Sequence, residues 1–294
     1  MSFRKLALIG VGLLGGSLGL AVKQRRLAAR VEGYVRRESS VAECLAAGAV
    51  DQASTDLAAV IAEADLVVLC TPIGQMGSLA RSFSSKLAPG ALVTDVGSVK
   101  ETVVRELEPL IAAAGGLFVG SHPMAGAEKM GVSHARADLF AGAVCVVTPT
   151  AQTPPAALEA VENLWRGVGG RVLRLSPEAH DVRVARSSHL PQALAATLAN
   201  LVLDEIHGPE QARLCAGGFR DGTRIASGSP EMWRDIMLSN REPLLRALGE
   251  YAERIEELRR AVERGDVATI SGLLESAKRR RDGWLNSPAH NSSE

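Results

Sequence analysis

The sequence carries no excess of charge of either sign and no long apolar run. Lysine and arginine together number 33, as do aspartate and glutamate, so the formal net charge is zero. A neutral chain has no electrostatic footprint for nucleic acid, and no nucleic-acid partner is expected. No apolar stretch reaches the ~20 residues that a membrane-spanning helix needs, and no signal-peptide pattern is visible. We therefore expect a cytoplasmic protein without membrane association.

Paired cysteines and metal-binding motifs are also missing. The four cysteines lie far apart and form no C-x-x-C pair: Cys44, Cys70, Cys145 and Cys215. Isolated cysteines, two of them in apolar strand-like runs, are typical of buried thiols in a reduced compartment. The histidines have no spacing suited to a metal site and H-E-x-x-H is absent, so no metal is expected.

Apolar residues are present in quantity, at 46% of the 294 residues, which is enough for a large core in one or two domains. Short apolar runs alternate with helical patterns over the first part of the chain. The strand-like runs cover residues 5–9, 31–35, 65–70, 91–96, 117–120, 143–148 and 171–175. This alternation predicts an α/β domain with a doubly wound, mostly parallel Rossmann-type sheet.

The pattern changes after Ser176-Pro177, where strand-like runs end. Helical patterns occupy about 178–207, 209–218, 230–264 and 267–284. We expect one domain over 1–176, an all-α domain over 177–286 and a flexible tail over 287–294. In the third helical pattern, apolar residues repeat at alternating spacings of four and three, as in an a/d seam that pairs helices. These residues are Leu244, Leu248, Tyr251, Ile255, Leu258 and Val262.

A glycine-rich turn follows the first predicted strand and spells G-x-G-x-x-G. Glycines at these positions allow a tight turn and close approach of the backbone to a pyrophosphate, with a helix N-terminus facing the phosphates. A purely structural turn is the alternative, but the position between strand and helix favours dinucleotide binding. The expected cofactor-binding residues are Gly10, Gly12, Leu13, Leu14 and Gly15, with Thr71 and Pro72 at the end of the third run.

Two arginines follow the second predicted strand, where NAD-binding turns usually carry an acidic residue for the ribose hydroxyls. Arg36 and Arg37 stand there instead. Two guanidiniums suit a 2′-phosphate by charge and by bidentate geometry. The alternative interpretation is that both arginines are solvated side chains of a loop with no ligand. Glu32 and Glu38 flank the position but are poorly placed to substitute for the missing acid. The sequence therefore favours NADP over NAD.

His122 follows the predicted strand that ends at Gly120, and a proline and small residues come after it. In open α/β sheets, ligands bind outside the carboxyl ends of strands. His122 is therefore a candidate general base. The alternative is that it is a packed core histidine whose ring nitrogens are hydrogen-bonded to the backbone. Ser98 follows another strand and is either a helix N-cap or a hydrogen-bond partner of substrate or His122.

Two further candidates lie in the helical region. His189 stands just before Leu190-Pro191, and Pro191 should kink the helix because it offers no N–H to the Ser187 carbonyl. A polar residue at a kink is a site candidate, and a surface histidine is the alternative. The stretch 217–224 is predicted to join two helices. Its Arg220 and Arg224 could bind carboxylates or form surface ion pairs.

Together these motifs resemble the prephenate/arogenate dehydrogenases of tyrosine biosynthesis, over residues 1 to about 285. The resemblance rests on the order and spacing of 10–17, 95–100, 121–126, 139–140, 189–191, 218–221, 223–226 and 232–235. It implies an oxidative decarboxylation in which hydride leaves a carbinol carbon for the nicotinamide and a base takes the hydroxyl proton. Carbon dioxide departs and the ring becomes aromatic. It also implies a dinucleotide-binding first domain and a helical second domain that binds substrate and forms a homodimer.

The resemblance implies roles for individual residues as well. His122 matches the catalytic general base, and Ser98 matches the serine that orients this histidine, the nicotinamide and the substrate hydroxyl. Arg224 matches the arginine that holds a substrate carboxylate, and His189 matches a second histidine of the substrate pocket. The other expected substrate-binding residues are Glu128 at the pocket mouth, Ser121 and Gln192.

The identity of the substrate stays open at this point. Residues 35–39 are most similar to the NADP-using, arogenate-preferring branch, so an NADP-dependent arogenate dehydrogenase is favoured and a prephenate dehydrogenase is the alternative. Ala127, Gln192 and Gly222 depart from residues common among relatives, near positions expected to sense the substrate side chain. More distant alternatives are a reductase of the β-hydroxyacid or pyrroline type, which does not explain 121–123, and a nonenzymatic NADP sensor, which needs no base.

Overall fold

The structure, a computed structural model, describes residues 3–126 and 129–287. The chain divides into two compact units, a larger one up to Arg241 and a smaller one from Glu242 onward. The domain boundary expected near residue 176 stays a prediction. None of the helices in the described ranges is both long enough and apolar enough to cross a membrane.

The larger unit contains a sheet whose strands follow the order β3-β2-β1-β4-β5-β6-β7-β8. Neighbouring strands are parallel except β6 and β7, which are antiparallel. The strands are β1 (Phe3–Ile9), β2 (Ala28–Tyr34), β3 (Gln52–Ser54), β4 (Leu66–Leu69), β5 (Leu92–Asp95), β6 (Leu117–Pro123), β7 (Val144–Thr148) and β8 (Arg171–Arg174). The expected mostly parallel, doubly wound sheet is confirmed; the short strand β3 was not predicted.

Helices connect the strands and continue after them. In the larger unit they are α1 (Leu13–Gln24), α2 (Glu38–Ala46), α3 (Leu57–Ile61), α4 (Ile73–Phe83), α5 (Glu101–Ala113), α6 (Pro155–Gly167), α7 (Pro177–Val184), α8 (Leu190–Val202), α9 (Gly208–Arg213), α10 (Gly217–Thr223) and α11 (Pro230–Ser239). α12 (Arg241–Glu263) begins at the last residue of this unit, and α13 (Val267–Leu285) follows in the smaller one.

The two faces of the sheet bury two apolar clusters because side chains alternate along each strand. In β1, Leu6 and Leu8 belong to one cluster, and Ala7 and Ile9 belong to the other. All four are fully buried. Apolar residues on both faces produce the continuous runs by which the strands are recognisable in the sequence.

β6 is longer than predicted. It was expected to end at Gly120, but its residues Gly120 to Pro123 pair with β7, with His122 opposite Val146. His122 therefore lies within a strand rather than in the loop after it. A single apolar pattern could not show this extension, because the antiparallel partner of these residues lies more than 20 positions away.

Several helix predictions were wrong in detail. The pattern at 230–264 is two helices, α11 and α12, separated at Asn240. The expected connection at 217–224 is mostly helical, as α10. By contrast, the helix interruption that we expected near Pro191 is present. It takes the form of a π-helical turn, Ala185–His189, between α7 and α8.

Helix α1 packs against its neighbours through glycine. A Cβ on Gly19 would lie 2.1 Å from the backbone oxygen of Ala49, a distance that no rotamer change can relieve. Gly218 in α10 is different, because a Cβ there would have no atom within 4 Å.

We expect Gly19→Ala to lower the free energy of unfolding by ~1–3 kcal/mol, as overpacking in a buried contact does. Gly218→Ala is the matched control, since it adds the same methyl group to a helix in open space, and it should be neutral or stabilising by up to ~1 kcal/mol. Chemical denaturation of both variants measures the difference. Equal stability of the two variants would contradict the close approach of α1.

Candidate active site

The turn between β1 and α1 has the backbone geometry that a dinucleotide pyrophosphate requires. Gly10 has a φ of +99°, and a Cβ on Gly15 would lie 2.1 Å from the Gly10 oxygen, so both positions demand glycine. A Cβ on Gly12 would meet no atom within 4 Å. Gly12 is the N-cap of α1 and no side chain caps this helix. The first-turn N–H groups, including those of Leu13 and Leu14, can therefore bind phosphate.

The residues around this turn also fit a dinucleotide. Thr71 follows β4 and adjoins the turn, since its Cγ2 would lie 3.0 Å from a Cβ on Gly10. Its hydroxyl is buried, with no hydrogen-bond partner among the described residues. Pro72 follows and is the N-cap of α4. The expected cofactor residues at the ends of β1 and β4 thus come together.

Arg36 and Arg37 are exposed just beyond the end of β2, and Arg37 is the N-cap of α2. Glu32, by contrast, is buried in β2, where its carboxylate pairs with Lys5 at 2.8 Å and with Arg30. Glu38 is exposed in the first turn of α2. The carboxylate of Glu32 is therefore already used in ion pairs, in agreement with the expectation that Glu32 does not replace a ribose-binding acid.

His122 takes part in a chain of hydrogen bonds that the sequence did not reveal. It is 9% exposed, and its Nδ1 lies 2.8 Å from Nε2 of His180 in α7. His180 Nδ1 lies 2.7 Å from Oδ1 of Asp181. Both partners are buried. No local motif marks them: they are consecutive polar residues in a helix 58 positions from His122, and only the fold brings them to β6.

Asp181 also holds the start of α5. Its Oδ1 accepts a hydrogen bond from the backbone N–H of Lys100 at 2.7 Å, and its Oδ2 accepts one from Glu101 at 2.9 Å. Ser98 was expected to cap this helix if it had no site role, but Lys100 is the N-cap. The N-cap alternative for Ser98 is therefore wrong. Ser98 lies half-buried between β5 and α5.

A buried ion pair lies beside this network. The ammonium of Lys100 contacts the Asp95 carboxylate at the end of β5 and donates to the Ser121 carbonyl at 2.9 Å. Ser121 is itself fully buried, with its N–H donating to Asp95 Oδ1 and its hydroxyl to the Asp95 carbonyl. These contacts hold the end of β6 against the end of β5, and they thereby fix the position of His122.

His189 is fully buried in the π-helical turn, so the alternative of a surface histidine is wrong. Its Nδ1 lies 3.0 Å from Nδ2 of Asn240. The same Nδ2 donates to the backbone carbonyl of Asp181 at 2.9 Å. His189 Nε2 is buried with no partner in the described part of the chain. Its ring also meets Trp233 edge-on, with centroids 6.1 Å apart.

The site histidines His122, His180 and His189 are neutral at physiological pH. Burial is the main cause that lowers the pKa of His122 well below 6.5, and the electrostatic effects of the neighbouring His180, Lys100 and His189 lower it further. Burial lowers the pKa of His189 to about 4. Burial also lowers the pKa of His180, although the Asp181 carboxylate partly opposes it. A neutral imidazole is the form that can accept a proton from a hydroxyl.

The structure places the remaining candidates as follows. Gln192 is buried in α8, and Arg224 is exposed at the start of a 3₁₀ turn, Arg224–Ser227. Gly222 lies in α10. Glu128 and Ala127 lie outside the described residues.

Comparison with known families assigns both parts of the chain. Residues 18–174 match the model of the prephenate dehydrogenase nucleotide-binding domain, and residues 176–276 match that of the prephenate dehydrogenase dimerization domain. The prephenate dehydrogenase of Bacillus subtilis (strain 168) is 36% identical over 280 residues, which is 95% of this chain and 75% of the relative.

Solved structures show the same likeness. The prephenate dehydrogenase of Aquifex aeolicus, in complex with hydroxyphenyl propionate and NAD⁺, has a TM-score of 0.89 and 33% identity, covering 96% of this chain and 98% of that one. The arogenate dehydrogenase of Synechocystis has a TM-score of 0.81 and 30% identity, covering 96% of this chain and all (100%) of the other. Since both domain models match in order and these relatives align over almost the whole length, the chain belongs to the prephenate/arogenate dehydrogenase family, the nucleotide-dependent oxidoreductases of tyrosine biosynthesis.

Proposed function

We propose that this protein is an NADP-dependent arogenate dehydrogenase that converts arogenate to tyrosine and carbon dioxide. The observation that carries the chemistry is His122, a buried neutral imidazole near the carboxyl end of β6, held through Nδ1 by His180. Such a group can take the proton of the substrate hydroxyl at Nε2. The same chemistry serves prephenate, so the substrate and the cofactor are separate parts of the proposal.

His122 and Ser98 carry the catalytic step in this proposal. His122 removes the hydroxyl proton, and Ser98 orients both the imidazole and the hydroxyl. NADP, when bound at the glycine turn, supplies the hydride acceptor. The end of β6 is tied to Asp95 and Lys100, so the base is held in place rather than carried on a loop. Such positioning is worth several kilocalories per mole of barrier.

The substrate side is assigned to residues of the helical part and to residues at or just after the end of β6. Arg224 holds a carboxylate, because a guanidinium offers paired donors to two carboxylate oxygens. His189 and Gln192, both buried, line the pocket, together with Ser121. Glu128 is assigned to the pocket mouth on its position in the sequence alone. In the same scheme, the domain boundary near 176 separates the nucleotide-binding part from the substrate part.

The NADP preference is supported by charge at the end of β2. Arg36 and Arg37 are exposed there, while Glu32, the acid within the strand, is buried and paired with Lys5 and Arg30. A 2′-phosphate would gain two cations at this position, and a ribose diol would lack its usual acidic acceptor.

Prephenate dehydrogenase is the second candidate, and specific observations favour it. The Bacillus subtilis relative is a prephenate dehydrogenase, and the Aquifex aeolicus structure contains NAD⁺. The Synechocystis relative is an arogenate dehydrogenase with almost the same coverage. The two substrates differ by a keto or an ammonium group, so an assay with purified substrates has to separate them.

We expect His122→Asn to lower turnover by ~10²–10⁴-fold, the usual effect of losing a general base, with little change in cofactor affinity. The dependence of wild-type kcat/KM on pH should report the protonation of the same imidazole. Because the pKa of His122 is lowered, the imidazole stays unprotonated through pH 6.5, and kcat/KM should fall only well below it. His134→Asn, at an exposed histidine, is the control. Unchanged turnover in His122→Asn would exclude His122 as the base.

A two-by-two assay of arogenate or prephenate with NADP or NAD tests the cofactor and substrate assignments. We expect the highest kcat/KM with arogenate and NADP. Replacing both Arg36 and Arg37 by alanine should raise the KM for NADP by ~10-fold or more, since charge-assisted hydrogen bonds contribute about 1.5–3 kcal/mol each, and should leave that for NAD nearly unchanged. Equal losses for both cofactors would show that these arginines do not read the phosphate.

We further propose that the protein is a homodimer, with α12 and α13 at the interface. In the single chain, Tyr251, Ile255 and Val262 of the predicted seam are each more than one-third exposed. Residues 176–276 match a dimerization domain, which supports the same assignment.

Light scattering should give twice the mass of one chain. Ile255→Lys should shift the protein towards monomer, because it places a charge in an apolar interface. Glu253→Lys, at an exposed polar position of the same helix, is the control and should leave the dimer intact. A wild-type protein that stays monomeric at micromolar concentration would exclude this assembly.

A further inference from the structure

Asp181 is linked to His122 and to His189 by two separate sets of atoms. Its carboxylate reaches His180 and, through it, His122. Its backbone carbonyl accepts from Asn240, whose amide also contacts His189. The two connections determine which ring nitrogens carry hydrogen, because carboxylate and carbonyl oxygens can only accept a hydrogen bond and an amide NH₂ group can only donate one.

The first connection sets the tautomer of His122. A carboxylate oxygen accepts, so His180 Nδ1, 2.7 Å from Asp181 Oδ1, must be the protonated nitrogen. In a neutral ring Nε2 then bears a lone pair. His122 Nδ1, 2.8 Å from that Nε2, must therefore donate. It follows that His122 Nε2 carries the lone pair, which is the arrangement needed to accept a proton.

The second connection sets the opposite tautomer on His189. Asn240 Nδ2 donates to the Asp181 carbonyl at 2.9 Å, and this fixes the orientation of the amide. The same NH₂ group lies 3.0 Å from His189 Nδ1, which therefore accepts. In the neutral ring the hydrogen is on Nε2. That N–H is buried and has no partner within the described ranges, so it is available to a bound oxygen atom.

We propose that Asp181 and His180 are positioning residues that hold His122 as the Nδ1–H tautomer, so that its Nε2 can serve as the base. The proposal rests on the proposed role of His122. The carboxylate of Asp181 is itself fixed, because it accepts from two backbone N–H groups at the start of α5. Without this carboxylate, His180 can take the other tautomer, and His122 then presents Nε2–H and cannot accept the substrate proton.

The charged and titratable groups facing these rings come from every element packed around them. They are Asp95 of β5, Lys100 before α5, His122 of β6, His180 and Asp181 of α7, and His189 of the π-helical turn. Lys100 is already paired with Asp95, and no group other than Asp181 contacts His180 Nδ1 among the hydrogen bonds of the described residues. Within the described residues, the tautomer of His180 is therefore determined by the Asp181 carboxylate.

Substitutions of His180 provide the sharpest test, because they leave Asp181 at the N-terminus of α5. His180→Leu removes the acceptor for His122 Nδ1 and should lower kcat by ~10²–10⁴-fold, the range for a misdirected base, with substrate KM and NADP affinity changed less than ~3-fold. His180→Gln places a carbonyl oxygen within reach of the same nitrogen and should retain most of the activity. Glu178→Gln, at an exposed acid of the same helix, is the control and should match the wild type.

Asp181→Ala tests the other member of the pair, because it removes the only acceptor of His180 Nδ1 among the described hydrogen bonds. Nitrogen-15 shifts of labelled histidine report the tautomers directly: in the wild type, His122 Nδ1 should be the protonated nitrogen and Nε2 the unprotonated one. In Asp181→Ala, if it folds, the single assignment should be lost, with protonated Nε2 now present in neutral His122; if it does not fold, the His180 variants and the wild-type spectrum still decide. A protonated Nε2 in neutral wild-type His122, or full activity in His180→Leu, would overturn the proposal. Full activity in His122→Asn would instead overturn the proposed function.

Discussion

The hydrogen bonds between the Asp181 carboxylate and the first N–H groups of α5 are the contact on which the site depends. They attach α7, the first helix after the last strand, to a helix that flanks the sheet. A helix N-terminus offers donors and positive partial charge, so a carboxylate is the natural partner there. The same carboxylate directs His180 towards β6. One buried acid thus joins the helical part of the larger unit to the strand that carries the base.

Burial has two consequences at this site. It keeps the imidazoles neutral, which the chemistry requires, and it makes every polar atom in the vicinity depend on a protein partner. Asp95, Lys100, Ser121 and Asn240 provide such partners. Two buried atoms that lack a partner within the described ranges, His189 Nε2 and the Thr71 hydroxyl, belong to residues that the proposal assigns to ligands.

The sequence predicted those features that depend on local chemistry. The glycine turn, the alternating strands and the paired arginines at 36 and 37 are each readable within about ten residues, and the sheet is as expected. His180 and Asp181 were missed because their meaning arises from contacts with residues 58 and about 80 positions away. The end of β6 was misplaced for the same reason, since its pairing with β7 is long-range. The break at Asn240 was missed because the apolar period continues on both sides of it.

The buried histidines also connect the chemistry of the base to the stability of the fold. An unfolded chain exposes these rings, which then bind protons near pH 6.5, whereas the folded chain holds their pKa values lower. Between pH 6.5 and the folded pKa, the unfolded state therefore binds more protons, and each such ring removes about 1.4 kcal/mol of folding free energy for every pH unit of acidification. Acidification below pH 6.5 therefore weakens the fold over the same range in which it still leaves the base unprotonated.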